Sequence, residues 1–203
     1  MDHHDKSDEH LNKKESSKDS LLLYLHDFVT WLVVILLVFL LLFRVVVVSG
    51  PSMNSTLAHG DYLLLINNVF YKNPQQGDII VAAKDSFKNG EPIIKRVIAT
   101  EGQWVNIDFE AGIVYVNDVA LEEDYTYTMT NIEEGMPFPL IVSEGCVFVM
   151  GDNRNRSRDS RYPDIGLIDK REILGKAVFL IYPGVGEAPY GGPREYNRIG
   201  VLN

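Results

Sequence analysis

From Trp31 to Phe43 the chain runs through thirteen apolar residues without a break, and adding Leu25 to Thr30 brings the stretch to nineteen. No other feature constrains the fold so strongly, because a helix needs about 20 such residues to cross a bilayer. His26 and Asp27 stand near one end of the stretch and Arg44 stands at the other. All three can lie at headgroup depth, the arginine by reaching back along its long stem. A soluble helix of this composition would need a large core on every side, and the rest of the chain is too short to supply one. Residues 21–44 are therefore read as a single transmembrane anchor. The Val45–Val48 run has no small-x-small site beneath it, so removal of the segment as an export signal is not expected.

The residues before the anchor set its expected orientation. Residues 1–20 contain no aromatic or β-branched residue, with four lysines against six acids, and read as a disordered tail. Lys13, Lys14 and Lys18 lie close before the span, whereas on its far side Lys72 is distant from Arg44. Positive charge is retained on the cytoplasmic side, so the N-terminus is expected in the cytoplasm and the body of the protein on the extracellular face.

Composition narrows the chemistry open to that body. With 19 basic and 28 acidic residues the chain carries a formal charge of −9, which is not the footprint of a nucleic-acid binder. Cys146 is the single cysteine, which excludes an internal disulfide and a multi-cysteine metal site. Of five histidines only His59 lies beyond the anchor. A His-rich zinc site and a Cys-x-x-Cys redox pair are thus excluded there.

Residues 45–184 read as mostly β. Short apolar or alternating runs recur at 45–48, 62–66, 78–82, 93–98, 104–107, 113–116, 147–150 and 177–181, with Gly, Pro, Asn and Asp between them. Asn117-Asp118 has the chemistry of a tight hairpin turn. No helical stripe of three turns follows Phe43, and βαβ spacing is missing, which argues against a doubly wound sheet. Residues 105–145 are more acidic and read as a small inserted lobe. Residues 185–203 read as a peripheral C-terminal tail.

Three places in this body could carry chemistry. Residues 49–57, SGPSMNSTL, put Ser52 just past the valine run, either as a nucleophile held at a strand end or within a plain linker. A serine needs a base. His59 lies seven residues away but in a turn-like His-Gly-Asp without an evident orienting acid. Lys95 lies inside the strand-like Pro92-Ile93-Ile94-Lys95-Arg96-Val97-Ile98, where it and Arg96 point to opposite faces. Burial would lower its pKa and make it a base, while an edge strand carrying charge against aggregation would leave it inert. In the third place, GDNRNRSRDSR at 151–161, Arg154, Arg156, Arg158 and Arg161 alternate with Asp152 and Asp159. No aromatic residue is interleaved, so an internal charge network is expected rather than a nucleic-acid patch.

The order of these segments resembles the bacterial type I signal peptidases, of the compact kind found in Gram-positive organisms. A membrane span is followed by SGPSMNSTL, GDII at 77–80, IKRVI at 94–98, GDNRNRSRDSR at 151–161 and GKAVFLIYPG at 175–184. The resemblance implies an antiparallel-sheet serine/lysine peptidase core that removes signal peptides from exported preproteins after small residues of the Ala-x-Ala type. By matching position, Ser52 would be the nucleophile and Lys95 the general base. The Ser52 backbone N–H would help hold the oxyanion, and Met53 would shape the substrate pocket. Ser157 would hydrogen-bond the lysine, and Asp159 with Arg161 would brace that region. Arg96 would be structural, and Asp152 and Asn153 would fix the last motif's loop. The implied surroundings are secreted preproteins, the lipid bilayer and the export machinery nearby, with no metal or organic cofactor. Four places depart from the family's habit. Ser55 stands where a proline is frequent, Gly50 where some relatives have an oxyanion-holding serine, Ala99-Thr100-Glu101-Gly102-Gln103 where a glycine-rich stretch with Gly-Asp is usual, and Tyr162–Ile165 lengthen a link. A self-cleaving serine/lysine repressor and a membrane-tethered β-rich binding protein are the rival readings. The leading span, with no DNA-binding helical domain, separates the chain from the first of these.

Overall fold

The computed structural model describes residues 5–87, 90–186 and 191–202, with side chains from residue 21 onward. It divides into two units, residues 1–41 and 42–203.

The first unit is carried by helix α1, Asp5–Leu42. Its Leu21–Leu42 part is 22 residues long and apolar enough to cross a membrane, and none of it is buried by protein. This is the behaviour expected of a helix that is hydrophobic all round and anchored in lipid. The helix also extends back through 5–20, where composition alone reads a disordered tail. The physical reason is cooperativity. That stretch has neither Pro nor Gly, and extending an existing helix avoids the costly first turn.

The second unit is built almost entirely of antiparallel strands. They are β1 (Phe43–Val47), β2 (Tyr62–Asn67), β3 (Ile79–Ala82), β4 (Ile93–Thr100), β5 (Trp104–Asp108) and β6 (Ile113–Val116). There follow β7 (Val119–Ala120), β8 (Leu140–Ile141), β9 (Cys146–Met150), β10 (Ile168–Asp169), β11 (Ile173–Tyr182) and β12 (Gly200–Val201). The main sheet runs β1-β2-β11-β3-β4-β9-β10, with β12 added on β11. The inserted lobe is a second sheet in the order β7-β6-β5-β8. Its hairpin turns at Asn117 and Asp118, whose φ angles are 52° and 63°. Asn and Asp tolerate this left-handed backbone better than other side chains do.

Alternation along β4 and β9 joins the two sheets. Val97, Val147 and Val149 pack with Ile80, Ile165 and Ile168 in one cluster. Their neighbours Ile98, Phe148 and Met150 face the other way and pack with Val105, Val114 and Val142 of the lobe. Both faces of these strands are thus covered, which explains why they read as nearly continuous apolar runs. A third cluster forms where β1, β2 and β11 meet, and Met53 and Leu57 drop into it beside Leu63 and Leu65. Those two side chains pin the loop that carries Ser52 to the sheet.

Residues 191–202, expected to be a peripheral tail, remain largely exposed but are docked on the body at a few points. β12 pairs with β11 through Phe179 and Leu180, and Leu202 packs on the Met53 cluster. Arg198 reaches the buried Asp61, with Nη2 2.6 Å from Oδ2. Its sequence, loop-like and glycine-rich, hides these contacts because two strand residues and one arginine are too few to make a periodic signal.

Candidate active site

Lys95 and Arg96 are successive residues of β4 and leave the strand on opposite faces, as the pleat requires. Both are buried, at 4% and 3% exposure. Lys95 Nζ donates to Ser52 Oγ at 2.9 Å and to the Ile94 carbonyl at 2.8 Å. Among the described residues no carboxylate lies within ion-pair reach of it. Burial lowers the lysine to about 8, and the negative charges of Asp159 and Asp152, acting at longer range, oppose this only in part. About a tenth of the amine is therefore neutral at pH 7, against a far smaller share for a free lysine, and that form is able to take a proton.

Ser52 sits in a turn held from several sides. Asn54 N–H donates to the Pro51 carbonyl (3.1 Å) and Leu57 N–H to the Met53 carbonyl (2.8 Å). From across the site, Asn153 donates twice, through N–H to the Ser52 carbonyl (3.0 Å) and through Nδ2 to the Pro51 carbonyl (3.1 Å). This approach is possible because residue 151 is glycine. A Cβ there would lie 2.4 Å from the Ser52 carbonyl oxygen and 2.2 Å from Ser157 Oγ.

Two of the four arginines of the 151–161 segment, Arg154 and Arg161, are buried in an internal charge network of the kind its interleaved aspartates predict, whereas Arg156 and Arg158 are exposed, Arg158 against Asp164 at 2.6 Å. Arg161 and Asp159 are fully buried and paired through Nε–Oδ1 (2.9 Å) and Nη2–Oδ2 (3.0 Å). Asp159 also accepts the Gly151 N–H at 3.0 Å. Arg154 is clamped by Glu123, with Nη1 2.8 Å from Oε2, and donates to Thr130 at 3.0 Å. Arg96 donates to both oxygens of Asp152, at 2.9 and 2.8 Å, and lies 4.0 Å from the centre of the Tyr125 ring. Asp152 further accepts from Thr56 Oγ1, tying the network back to the Ser52 loop. Glu123 and Tyr125 escaped sequence reading because they come from the inserted lobe, where an acidic run looks like a solvated surface.

Ser157 is buried, and among the described residues its Oγ has no hydrogen-bond partner. The bond to Lys95 that the resemblance implies is not formed. The amine instead donates to the carbonyl of its own neighbour, Ile94. His59 is not paired with Ser52 either. Its Nδ1 accepts the Gly50 N–H at 3.1 Å. The structure thus brings together Ser52, Lys95, Met53, Asp152 and Asn153, and stacks Ser157, Asp159 and Arg161 behind them.

A cleft of about 490 Å³ opens at Ser52 and Lys95. Residues 46–53 line one part of it and residues 91–95 another, with Val81, Phe87 and Arg158 completing it. Among the described residues no cluster of three or more His, Cys, Asp or Glu side chains could hold a metal ion.

Residues 21–182 match the family described as signal peptidase, peptidase S26. The chain belongs to the signal peptidase S26 family. The membrane helix, mostly β core and inserted lobe described above are those of a type I signal peptidase homologue. This peptidase homologue is 32% identical over 179 residues to signal peptidase I of Bacillus licheniformis, which covers 84% of the chain and 94% of that protein. It is also 32% identical over 146 residues to thylakoidal processing peptidase 1, chloroplastic, of Arabidopsis thaliana. That match covers 67% of the chain but spans only 41% of the plant protein's length. A solved structure of a signal peptidase I from Enterococcus faecalis V583 is 34% identical, covering 52% of the chain and 97% of the solved one, with a TM-score of 0.42.

Proposed function

We propose that this membrane-anchored hydrolase is a signal peptidase that cleaves exported preproteins with Ser52 as nucleophile and Lys95 as general base. The observation that carries the reading is the 2.9 Å contact between Ser52 Oγ and a buried amine lowered to about 8. Neutral Lys95 takes the Ser52 proton as the oxygen attacks the scissile carbonyl. The oxyanion develops beside the Ser52 backbone N–H, which the surrounding turn already orients. The protonated lysine returns its proton to the leaving amine. A water molecule, deprotonated by the same amine, then releases the acyl group. Met53, Ser157, Asp159 and Arg161 act as supports in this scheme, Met53 at the pocket and the others behind the dyad.

The cleft supports an extended substrate. It runs between the edge strand β1 and the start of β4, whose pairing with β9 begins only at Arg96. A peptide entering there can add main-chain hydrogen bonds as a further strand, and the family resemblance implies cleavage after small residues of the Ala-x-Ala type. Ser52 follows the last helical residue, Leu42, by ten positions. That short tether suits a substrate whose own apolar segment ends at the bilayer. With the lysine-bearing N-terminus in the cytoplasm, the catalytic unit works on the extracellular face, where preproteins leave the export machinery.

The test uses purified full-length protein in detergent with a preprotein bearing an Ala-x-Ala site. Cleavage at that site should be lost in Ser52→Ala, with the strand content by circular dichroism unchanged. Undiminished cleavage by a folded Ser52→Ala protein would end the proposal.

A further inference from the structure

The loop from Val48 to Asp61 is closed at its base. Val48 N–H donates to the Asp61 carbonyl and Gly60 N–H to the Val48 carbonyl, both at 2.9 Å. Asp61 is fully buried and accepts from the amides of Ala58 (2.7 Å) and Gly184 (2.6 Å) and from Arg198. Arg198 also donates to the Thr56 carbonyl at 3.2 Å. Gly186 N–H donates to the His59 carbonyl at 3.1 Å. His59 is therefore held by its main chain, and its half-buried ring crosses the loop to Gly50.

Gly50 lies two residues before the nucleophile, with φ at +85°. A Cβ there would meet nothing within 4 Å. The glycine answers a backbone conformation, not a lack of space. A segment in that conformation keeps its course only if its polar groups are tied down. Downstream, Asn153 ties the Pro51 and Ser52 carbonyls. Upstream, the tie on the Gly50 amide is the imidazole.

We propose that His59 is a positioning residue, whose unprotonated Nδ1 holds the Gly50 amide and thereby aims Ser52 at Lys95, so that protonating the ring withdraws the nucleophile. The inference rests on the serine/lysine reading above. Its chemistry is simple. Nδ1 can accept from Gly50 only while it carries a lone pair, which places the ring's proton on Nε2. A protonated ring presents N–H to N–H, and the bond is lost. Among the described residues, the charged or titratable groups nearest to His59 by loop or shared cavity are Asp61 in its own loop, Arg156, Tyr127 from the inserted lobe, and Glu195 and Arg198 from the C-terminal segment. All except Asp61 line with it a cavity of about 510 Å³.

Two consequences separate this role from packing. Turnover requires neutral Lys95 and neutral His59 together, so log kcat should fall on the acid side with a slope approaching about two per pH unit instead of one. An acceptor that does not titrate should remove the second proton. The experiment uses full-length protein in detergent micelles, labelled with 15N-glycine and followed from pH 5 to 8, beside preprotein cleavage. In the wild type the Gly50 amide resonance should titrate and should exchange faster at the acid end. In His59→Asn, whose Oδ1 stands near the place of Nδ1, the titration should vanish and the acid slope return to about one. His59→Phe should expose the amide at every pH and lower kcat about tenfold with KM little changed, and His59→Asn should recover most of that loss. A Gly50 resonance indifferent to pH in the wild type would overturn the proposal. So would a His59→Phe protein with wild-type kcat and slope. Ser52→Ala run in parallel keeps the two readings apart. If wild-type cleavage survives that change, the serine/lysine reading fails, while the Gly50 resonance still decides whether His59 holds the loop.

Discussion

The two faces of β4 treat their cations in opposite ways. Arg96 is buried against both oxygens of Asp152 and covered by the Tyr125 ring. Lys95, its neighbour, is equally buried, yet receives a hydroxyl and a carbonyl in place of a carboxylate. A guanidinium cannot be deprotonated in a protein, so its burial demands a counter-ion. An ammonium can shed its proton, so its burial without a counter-ion converts a charge into a base. The difference shows how one strand supplies a structural cation and a candidate catalytic amine at adjacent positions.

The largest expected effect comes from removing the unpaired side. Lys95→Met should lower kcat for preprotein cleavage by about 10³-fold or more, the upper range for loss of a general base. The same change should stabilise the fold. The folded amine titrates near 8 and the free one near 10.5, so the unfolded chain binds more protons between those values. Stability therefore rises as pH climbs from about 8 to 10.5, and below 8 the buried amine is a burden of up to about 3 kcal/mol. Chemical denaturation at pH 7 should show Lys95→Met to be the more stable protein. A destabilised variant would mean that the two hydrogen bonds outweigh desolvation.

On the paired side the sign reverses. Asp152→Asn leaves Arg96 buried without its carboxylate and should cost about 3–5 kcal/mol in the same denaturation measurement. A loss below about 1 kcal/mol would show that Tyr125 and the Gly77 carbonyl, which accepts from Arg96 Nη1 at 2.9 Å, suffice to hold the arginine.

The pH profile offers a test without mutation. In the proposed mechanism the reacting lysine is the neutral one, so kcat/KM should rise with pH and level off above about 8. An activity maximum near pH 5 would contradict the neutral amine. Ser157→Ala carries the smallest effect on folding. Its hydroxyl is buried and has no partner among the described residues, so stability should stay level or gain about 1 kcal/mol. Turnover should still fall if the hydroxyl meets the lysine during the reaction. Unaltered turnover would reduce Ser157 to packing.

Much of this was legible in the chain itself. The membrane helix could be read because nineteen residues from Leu25 to Phe43 bear only His26 and Asp27 as strongly polar interruptions. The strands could be read because turn residues separate short apolar runs, and Asn117-Asp118 marked its hairpin. Ser52 and Lys95 stood out through the motifs around them. Asp61 and Arg198 did not, although they lock the base of the Ser52 loop. They lie 137 positions apart, and nothing local distinguishes a buried aspartate in a Gly-Asp turn from an exposed one. The helical course of 5–20 and the integration of 191–202 were hidden for a similar reason, since each depends on a neighbouring element that local composition does not reveal.

The order of residues by itself settled which groups are present, where a lipid-soluble helix lies and which residues of each strand share a face. These follow from hydropathy and from the two-residue repeat of extended backbone, both of which are local. Which amine loses its counter-ion, which histidine nitrogen meets an amide and which aspartate anchors the tail were decided by the folded sheet. Desolvation and hydrogen-bond pairing depend on atoms far apart in the chain, and packing alone sets their distances.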